Sequence, residues 1–298
     1  MTTRSLTTLL TGGSYFEGPR WYEGAWWVSD FYTHQVTRIT PDGQGTVVAE
    51  VEQQPSGLGW LPDGSMVLVS MKDQRLLRLA GGELSTYADL APYCGGPLND
   101  CVVDDAGRVF VGDFGFDLMG GADIVPTTLK RVDPDGSVTV VAEDLHFPNG
   151  SVILADGTLV VGETWGNRFT AFTITPEGDL TDRRVWAEFG PLPTGSTVEE
   201  LAPQIVVGPD GCTSDAEGHV WVADGFHGRV VRVAPGGAIV DEVAGPDGMG
   251  VFACMLGGDD GRTLLIAAAP DFFEHTRAPV REAVLVTTQV EVPHAGRP

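Results

Sequence analysis

Six short apolar runs, rich in β-branched and aromatic residues, recur along the chain and limit what it can fold into. They are Trp26-Trp27-Val28-Ser29, Met66-Val67-Leu68-Val69-Ser70, Val109-Phe110-Val111-Gly112, Leu159-Val160-Val161-Gly162, Val220-Trp221-Val222-Ala223 and Leu264-Leu265-Ile266-Ala267. Nearly every run follows a turn signal: Asp63-Gly64, Ala106-Gly107, Asp156-Gly157, Glu217-Gly218 or Asp260-Gly261. Several are followed by a second run, such as Val36 to Ile39, Leu76 to Leu79 or Val230 to Val233. No interval holds a 3.6-residue apolar period for more than a turn or two, so helix is a minor component. The expected fold is all-β, a six-bladed β-propeller of four-stranded antiparallel blades, in one domain over residues 1–298. Met1 to Leu10 reads as a first strand, and Glu282 to Val292 as a last one that closes the ring with it. Phe114 to Thr128 and Gly190 to Val207 exceed the repeat and read as insertions, the second with a turn of helix at Thr197-Val-Glu-Glu-Leu201.

Composition narrows the functional classes. Forty Gly and 20 Pro in 298 residues suit a chain that turns often, and 42% hydrophobic residues suffice for a large core. Eighteen Lys and Arg against 41 Asp and Glu give a net charge of −23, a field that repels phosphate backbones and anionic lipid. The expected partner is therefore a small molecule, with no nucleic acid and no membrane, the protein being a monomer or weak homo-oligomer. No secretory signal and no membrane-spanning stretch is visible, which makes the cytoplasm the expected compartment. Cys94, Cys101, Cys212 and Cys254 lack paired C-x-x-C spacing and read as buried free thiols.

Aligning the six runs asks what each repeat places at the same distance upstream, where the innermost strand of a blade begins. The answer is a column of mostly polar residues: Glu17, Ser56, Asn99, Asn149, Asp210 and Asp247. From Asn99 to Gly112, Asn149 to Gly162 and Asp210 to Ala223 the spacing is the same 13 residues. Equivalent positions of rotationally repeated blades converge on the axis, so these oxygens can meet without being close in sequence. Glu, Asn, Asn and Asp offer hard donors that suit Ca²⁺ and, less selectively, Mg²⁺ or Mn²⁺. With no His in the column and no H-E-x-x-H, zinc is disfavoured as the resident metal, though Zn²⁺ can enter such a site in vitro. Asn-Gly and Pro-Asp-Gly are also common turn sequences, and phase alone does not choose between Asp210 and Asp247.

These residues carry a resemblance. Phe16-Glu17-Gly18-Pro19 with Trp21, Leu98-Asn99-Asp100 with Asp105-Ala-Gly107, Pro148-Asn149-Gly150, and Pro209-Asp210-Gly211 with Asp215-Ala-Glu-Gly218 stand in an order and phase similar to the senescence marker protein, gluconolactonase and luciferin-regenerating enzyme family. The resemblance spans nearly the whole chain. It implies a calcium-dependent lactonase in which Glu17, Asn149 and Asp210 bind the cation, Asn99 sits in or beside its shell, and Asp210 is the general base. It favours Asp210 over Asp247. Sugar-lactone members commonly carry an Arg two positions before the first Asn, where this chain has Pro97, which implies a less polar ring. The expected pocket wall is Phe31, Tyr32, Phe114, Phe116, His146, Glu163, Trp165 and Phe226.

The implied reaction is metal-assisted hydrolysis, with the cation polarising the carbonyl and Asp210 or the cation activating water. His34, His146 and His227 stand near upper loops, and His146 is the best placed by sequence to transfer a proton. No G-x-S-x-G elbow supports a serine hydrolase. Phosphotriester hydrolysis like that of the diisopropylfluorophosphatases, strictosidine-synthase-like chemistry and a binding propeller with a structural cation are the alternatives.

Overall fold

A computed structural model describes residues 4–296, so Met1 to Thr3 of the expected first strand lie outside the described residues. Six four-stranded antiparallel sheets follow one another in sequence, each running from the axis outward. Their innermost strands are Phe16–Tyr22, Pro55–Trp60, Leu98–Val103, Pro148–Ile153, Pro209–Ser214 and Gly250–Gly257. The six apolar runs are the second strands. Packed between neighbouring blades, Met66–Ser70, Val109–Asp113 and Val220–Asp224 are buried at every position, which is why they read as continuous runs rather than alternating ones. Outermost strands such as Gly45–Glu50 are largely exposed.

The ring is closed by chain ends that share a blade. Strand Thr7–Gly13 adds to Ala283–Gln289 at the edge of the sixth sheet, with Thr7 opposite Thr287 and Thr11 opposite Val284. Main-chain bonds thus replace a covalent closure. The largest apolar cluster runs from Trp26 and Val28 of the first blade through Val67 and Val69 of the second to Leu265 and Ala267 of the sixth. Each such buried aliphatic or aromatic side chain contributes about 1.5–3 kcal/mol. Cys101, Cys212 and Cys254 are buried free thiols as expected, whereas Cys94 is only partly buried. No helix among the described residues is long and apolar enough to cross a membrane.

A second repeated device fixes the loops at the upper end of the blades. The last residue of the second strand is a buried acid in four blades: Asp30, Asp113, Glu163 and Asp224. Asp30 accepts hydrogen bonds from the Ser14 and Tyr15 amides at 2.9 and 3.1 Å, just ahead of the inner strand. Glu163 accepts from the His146 amide at 2.8 Å, from Arg168 Nε at 2.8 Å and from Thr170. Asp224 accepts from the Gly208 amide at 3.2 Å and Arg229 Nε at 3.1 Å. Asp113 pairs with the fully buried Lys130 and accepts from Thr127 Oγ1 at 2.8 Å. In the blades of Glu163 and Asp224 one carboxylate ties the entry of the inner strand to the third strand, whereas Asp30 holds only the entry and Asp113 only the third strand. Removing it leaves buried partners unpaired. Glu163→Ala is expected to cost about 3–5 kcal/mol in equilibrium denaturation at neutral pH, while Asp259→Ala, at an exposed turn, stays within about 0.5 kcal/mol. Equal losses at the two positions would contradict the stapling role.

Candidate metal centre and pocket

Every inner strand slips register at the column. The pairing of inner and second strands is irregular between Glu17 and Arg20, Pro55 and Leu58, Leu98 and Cys101, Pro148 and Ser151, Pro209 and Cys212, and Val251 and Ala253. A bulge of this kind re-aims a side chain, here toward the axis. The residue after the column lies against the next blade's backbone. A Cβ on Gly18 would stand 2.8 Å from Ser56 O, one on Gly57 2.5 Å from Cys101 N, and one on Gly211 2.5 Å from Ala253 Cβ, while one on Gly150 would run into Asp210 O. Glu17-Gly18, Asn149-Gly150 and Asp210-Gly211 are therefore strand-packing pairs, not turns. By contrast Gly43, Gly64 and Gly136 have φ of 89°, 82° and 82° and close the hairpin turns expected of them.

The same test settles the sixth position. Gly248 has φ 74° with open space around it, and Asp247 is exposed in the turn before its inner strand. Gly211 packs instead on Phe252 and Ala253, so Phe252 completes the column. The sequence alignment placed Asp247 one turn too early, because the slip of register is invisible without the paired strand.

Glu17, Asn99, Asn149 and Asp210 line the floor of one cavity of about 300 Å³. All four side chains are buried. Asn99 Nδ2 donates to Pro148 O at 3.3 Å, and Asn149 Nδ2 donates to Asp210 Oδ1 at 2.6 Å and Thr164 Oγ1 at 3.2 Å. Thr164 Oγ1 in turn donates to Pro209 O at 2.7 Å, which fixes the direction in which it accepts. With their N–H groups donated to Pro148, Thr164 and Asp210, the two amides keep their carbonyl oxygens for the cavity. Burial, reinforced by the Asp210 carboxylate, raises the Glu17 pKa well above the usual carboxylate range. Burial likewise pushes Asp210 up to about 8 against the opposing Asn149 hydrogen bond. Beneath them Arg20 and Asp100 form a buried ion pair at 2.6 Å, with the same guanidinium donating to Cys101 O at 2.8 Å. That pair leaves Glu17 and Asp210 without a cation of their own.

The donor chemistry fits a hard divalent cation. Among the described residues no cluster of three or more His, Cys, Asp and Glu could hold a metal. A site here must draw on amide oxygens. Two carboxylates and two amide carbonyls on one buried floor supply them, with Gly225 leaving Asp210 Oδ2 uncovered.

Of the expected wall residues, Phe31, Tyr32, Phe114, Trp165 and Phe226 line this cavity. Phe116, His146 and Glu163 do not. Phe116 is buried against Phe147, with ring centroids 5.8 Å apart. Glu163 is the fully buried staple described above, and it is Thr164, one residue on, that reaches the floor. His146 lends Glu163 its amide, and burial lowers its imidazole pKa. His34 Nδ1 lies 2.7 Å from Glu52 O and His227 Nδ1 2.9 Å from Asp224 Oδ2, and neither ring lines the cavity. Sequence reasoning missed Tyr15, Phe147, Phe252 and Phe272. Tyr15 and Phe147 carried a readable signal in their spacing, since each precedes its column residue, Glu17 or Asn149, by two.

Three segments roof the cavity. The two expected insertions are joined by Ile124 N–H donating to Ser196 O at 2.7 Å, and helix Val198–Leu201 carries a capping box of Thr197 and Glu200. The third, between strands Thr263–Ala269 and Ala283–Gln289, was not expected from sequence. It holds helix Glu274–Arg277, whose Arg277 bonds Glu282 at 2.7 Å and Asp271 at 3.2 Å. Tyr32 Oη donates to Phe272 O at 2.5 Å and anchors this segment over the first blade.

With fold and floor in place, comparisons with known proteins assign the lineage. Residues 16–270 match the model of the SMP-30/Gluconolactonase/LRE-like region. A pentonolactonase, XacC, of Haloferax volcanii is 29% identical over 85% of this chain and 81% of its own length. Regucalcin of Danio rerio is 31% identical over 58% of this chain and 54% of its own. The crystal structure of a calcium-binding protein, regucalcin, from Agrobacterium tumefaciens superimposes with a TM-score of 0.79 at 23% identity, covering 100% of this chain and 99% of that one, and shares the fold. The chain belongs to the SMP-30/gluconolactonase/LRE-like family.

Proposed function

We propose that this protein is a divalent-cation-dependent hydrolase that opens a small lactone or ester above the axial floor. One observation carries the reading. Two buried carboxylates and two outward-facing amide oxygens share the floor of an otherwise apolar cavity, an arrangement that is costly unless a cation or a proton neutralises it. Membership of a family whose relatives include a pentonolactonase supports the same reaction class, and the fold shared with a calcium-binding regucalcin supports Ca²⁺ as the ion.

Glu17, Asn99, Asn149 and Asp210 would hold the ion. When bound, such a cation polarises an ester carbonyl and offsets the charge that develops on its oxygen. Asp210 receives the proton of the attacking water, with Oδ1 held by Asn149 and Oδ2 open beside Gly225. Thr164 positions Asn149. Phe31, Phe114 and Trp165 keep bulk water from the floor.

Asp210→Asn is expected to lower lactone kcat/KM on the order of 100-fold or more, and Thr164→Val to weaken calcium binding by about 10–100-fold, read by calorimetry on metal-stripped protein. Turnover unchanged in chelator, or hydrolysis of phosphotriesters alone, would refute the lactonase reading.

The raised carboxyl groups also predict a pH dependence. Folded Asp210 and Glu17 both hold protons more tightly than in the unfolded chain, so each stabilises the fold at low pH; the Asp210 contribution is complete below about pH 4 and is lost as pH rises through about 8, and that of Glu17 is lost in the same direction. Thermal unfolding of the metal-stripped protein should therefore fall in temperature from pH 5 to 8, more steeply than in Asp210→Asn. Saturating Ca²⁺ should remove that fall. Parallel profiles for parent and variant would count against the buried-carboxylate account.

A further inference from the structure

The polar inventory above the floor is too small for a polyhydroxyl ring. Tyr32 Oη is committed to Phe272 O and Thr164 Oγ1 to Pro209 O. Beyond the four floor residues, the uncommitted side-chain groups that the lining offers a sugar are the Tyr15 hydroxyl and the Trp165 indole N–H. A sugar lactone carries a hydroxyl on most ring carbons, and each one buried without a partner weakens binding.

The cavity also adjoins a second space. Leu118, Met119, Val198, Phe272 and Phe273 line both the cavity and this wider vestibule of about 720 Å³ beneath the roof segments. Met119 and Phe273 are 45% and 43% exposed, so the wall shared by the two spaces is apolar and reaches solvent. At the outer rim stand Glu199 and Glu274, the latter paired with Lys72 at 2.8 Å. On a protein of net charge −23 this rim disfavours an anionic group.

Resting on the hydrolase reading above, we infer that the substrate is a neutral lactone or ester with an apolar arm. Its carbonyl lies over the floor, and the arm passes between Met119, Val198 and Phe273 into the vestibule. The shared lining sets the vestibule beside the cavity, within reach of an arm on a substrate held over the floor.

The test compares δ-valerolactone, δ-decalactone and glucono-δ-lactone with the calcium-loaded protein, alongside calorimetric binding of the unreactive lactams piperidin-2-one and 6-pentylpiperidin-2-one. Each arm methylene that becomes buried should raise kcat/KM roughly three- to fourfold, so decalactone should exceed valerolactone by about 30-fold or more. The pentyl lactam should bind tighter than the parent lactam by a similar factor. Glucono-δ-lactone should be the poorest of the three. Phe273→Asp should shrink the decalactone-to-valerolactone ratio about tenfold or more, and Phe273→Leu should restore most of it. A flat chain-length series, gluconolactone turnover equal to that of decalactone, or a ratio untouched by Phe273→Asp would overturn the inference. If no lactone is hydrolysed but the pentyl lactam keeps its advantage, the hydrolase reading fails and the apolar arm site stands. If gluconolactone alone is hydrolysed, the reverse holds.

Discussion

In four of the six blades the inner strand approaches its neighbour so closely around the axis that no side chain fits between them. Gly18, Gly57, Gly150 and Gly211 leave no space for a Cβ against the neighbouring backbone or Cβ, and each inner strand slips register at that level. Packing of the blades and orientation of the column are thus one constraint. The same strand geometry brings residues 17, 99, 149 and 210 to one cavity. Where the third blade has Asp100 in place of glycine, its carboxylate is taken up by Arg20, and that ion pair sits under the floor instead of neutralising it. Desolvating a carboxylate costs several kcal/mol, so Glu17 and Asp210 demand a cation or a proton by virtue of the architecture itself.

Much of this was legible in the sequence because the fold is a repeat. Second strands are buried on both faces, so they stand out as unbroken apolar runs, and the Asp-Gly pairs before them mark hairpins at a constant phase. Glu17, Asn99, Asn149 and Asp210 follow from phase once the runs are aligned. Phase failed at the sixth blade, where Asp247-Gly248 mimics the motif but forms a true turn and Phe252 takes the axial place. Sequence shows the spacing of residues, whereas the register slip that decides this belongs to the paired strand.

The walls were less legible for a different reason. Glu163 was expected beside Trp165 because both lie at the strand end, yet the strand stops at Glu163 and the turn that follows breaks the alternation of faces. The buried acid therefore staples its blade while Thr164 reaches the floor. His146 was misplaced because its amide is drawn to Glu163 ahead of the inner strand, and Phe116 because its ring packs on Phe147. The roof segment around Phe272 and Phe273 carries no repeat phase at all, and its position depends on the long-range Tyr32 and Lys72 contacts. The rigid floor comes from the repeat, and the selective roof comes from what interrupts it.

The central claim is that the axial floor is a cation site. Crystals of the protein soaked in Mn²⁺ and measured for anomalous scattering test it most directly. The account predicts one strong peak within coordination distance of Glu17, Asn99, Asn149 and Asp210, lost in crystals of Asp210→Asn. A parent crystal with no peak on the axis, or with its strongest peak at another cluster, would contradict it.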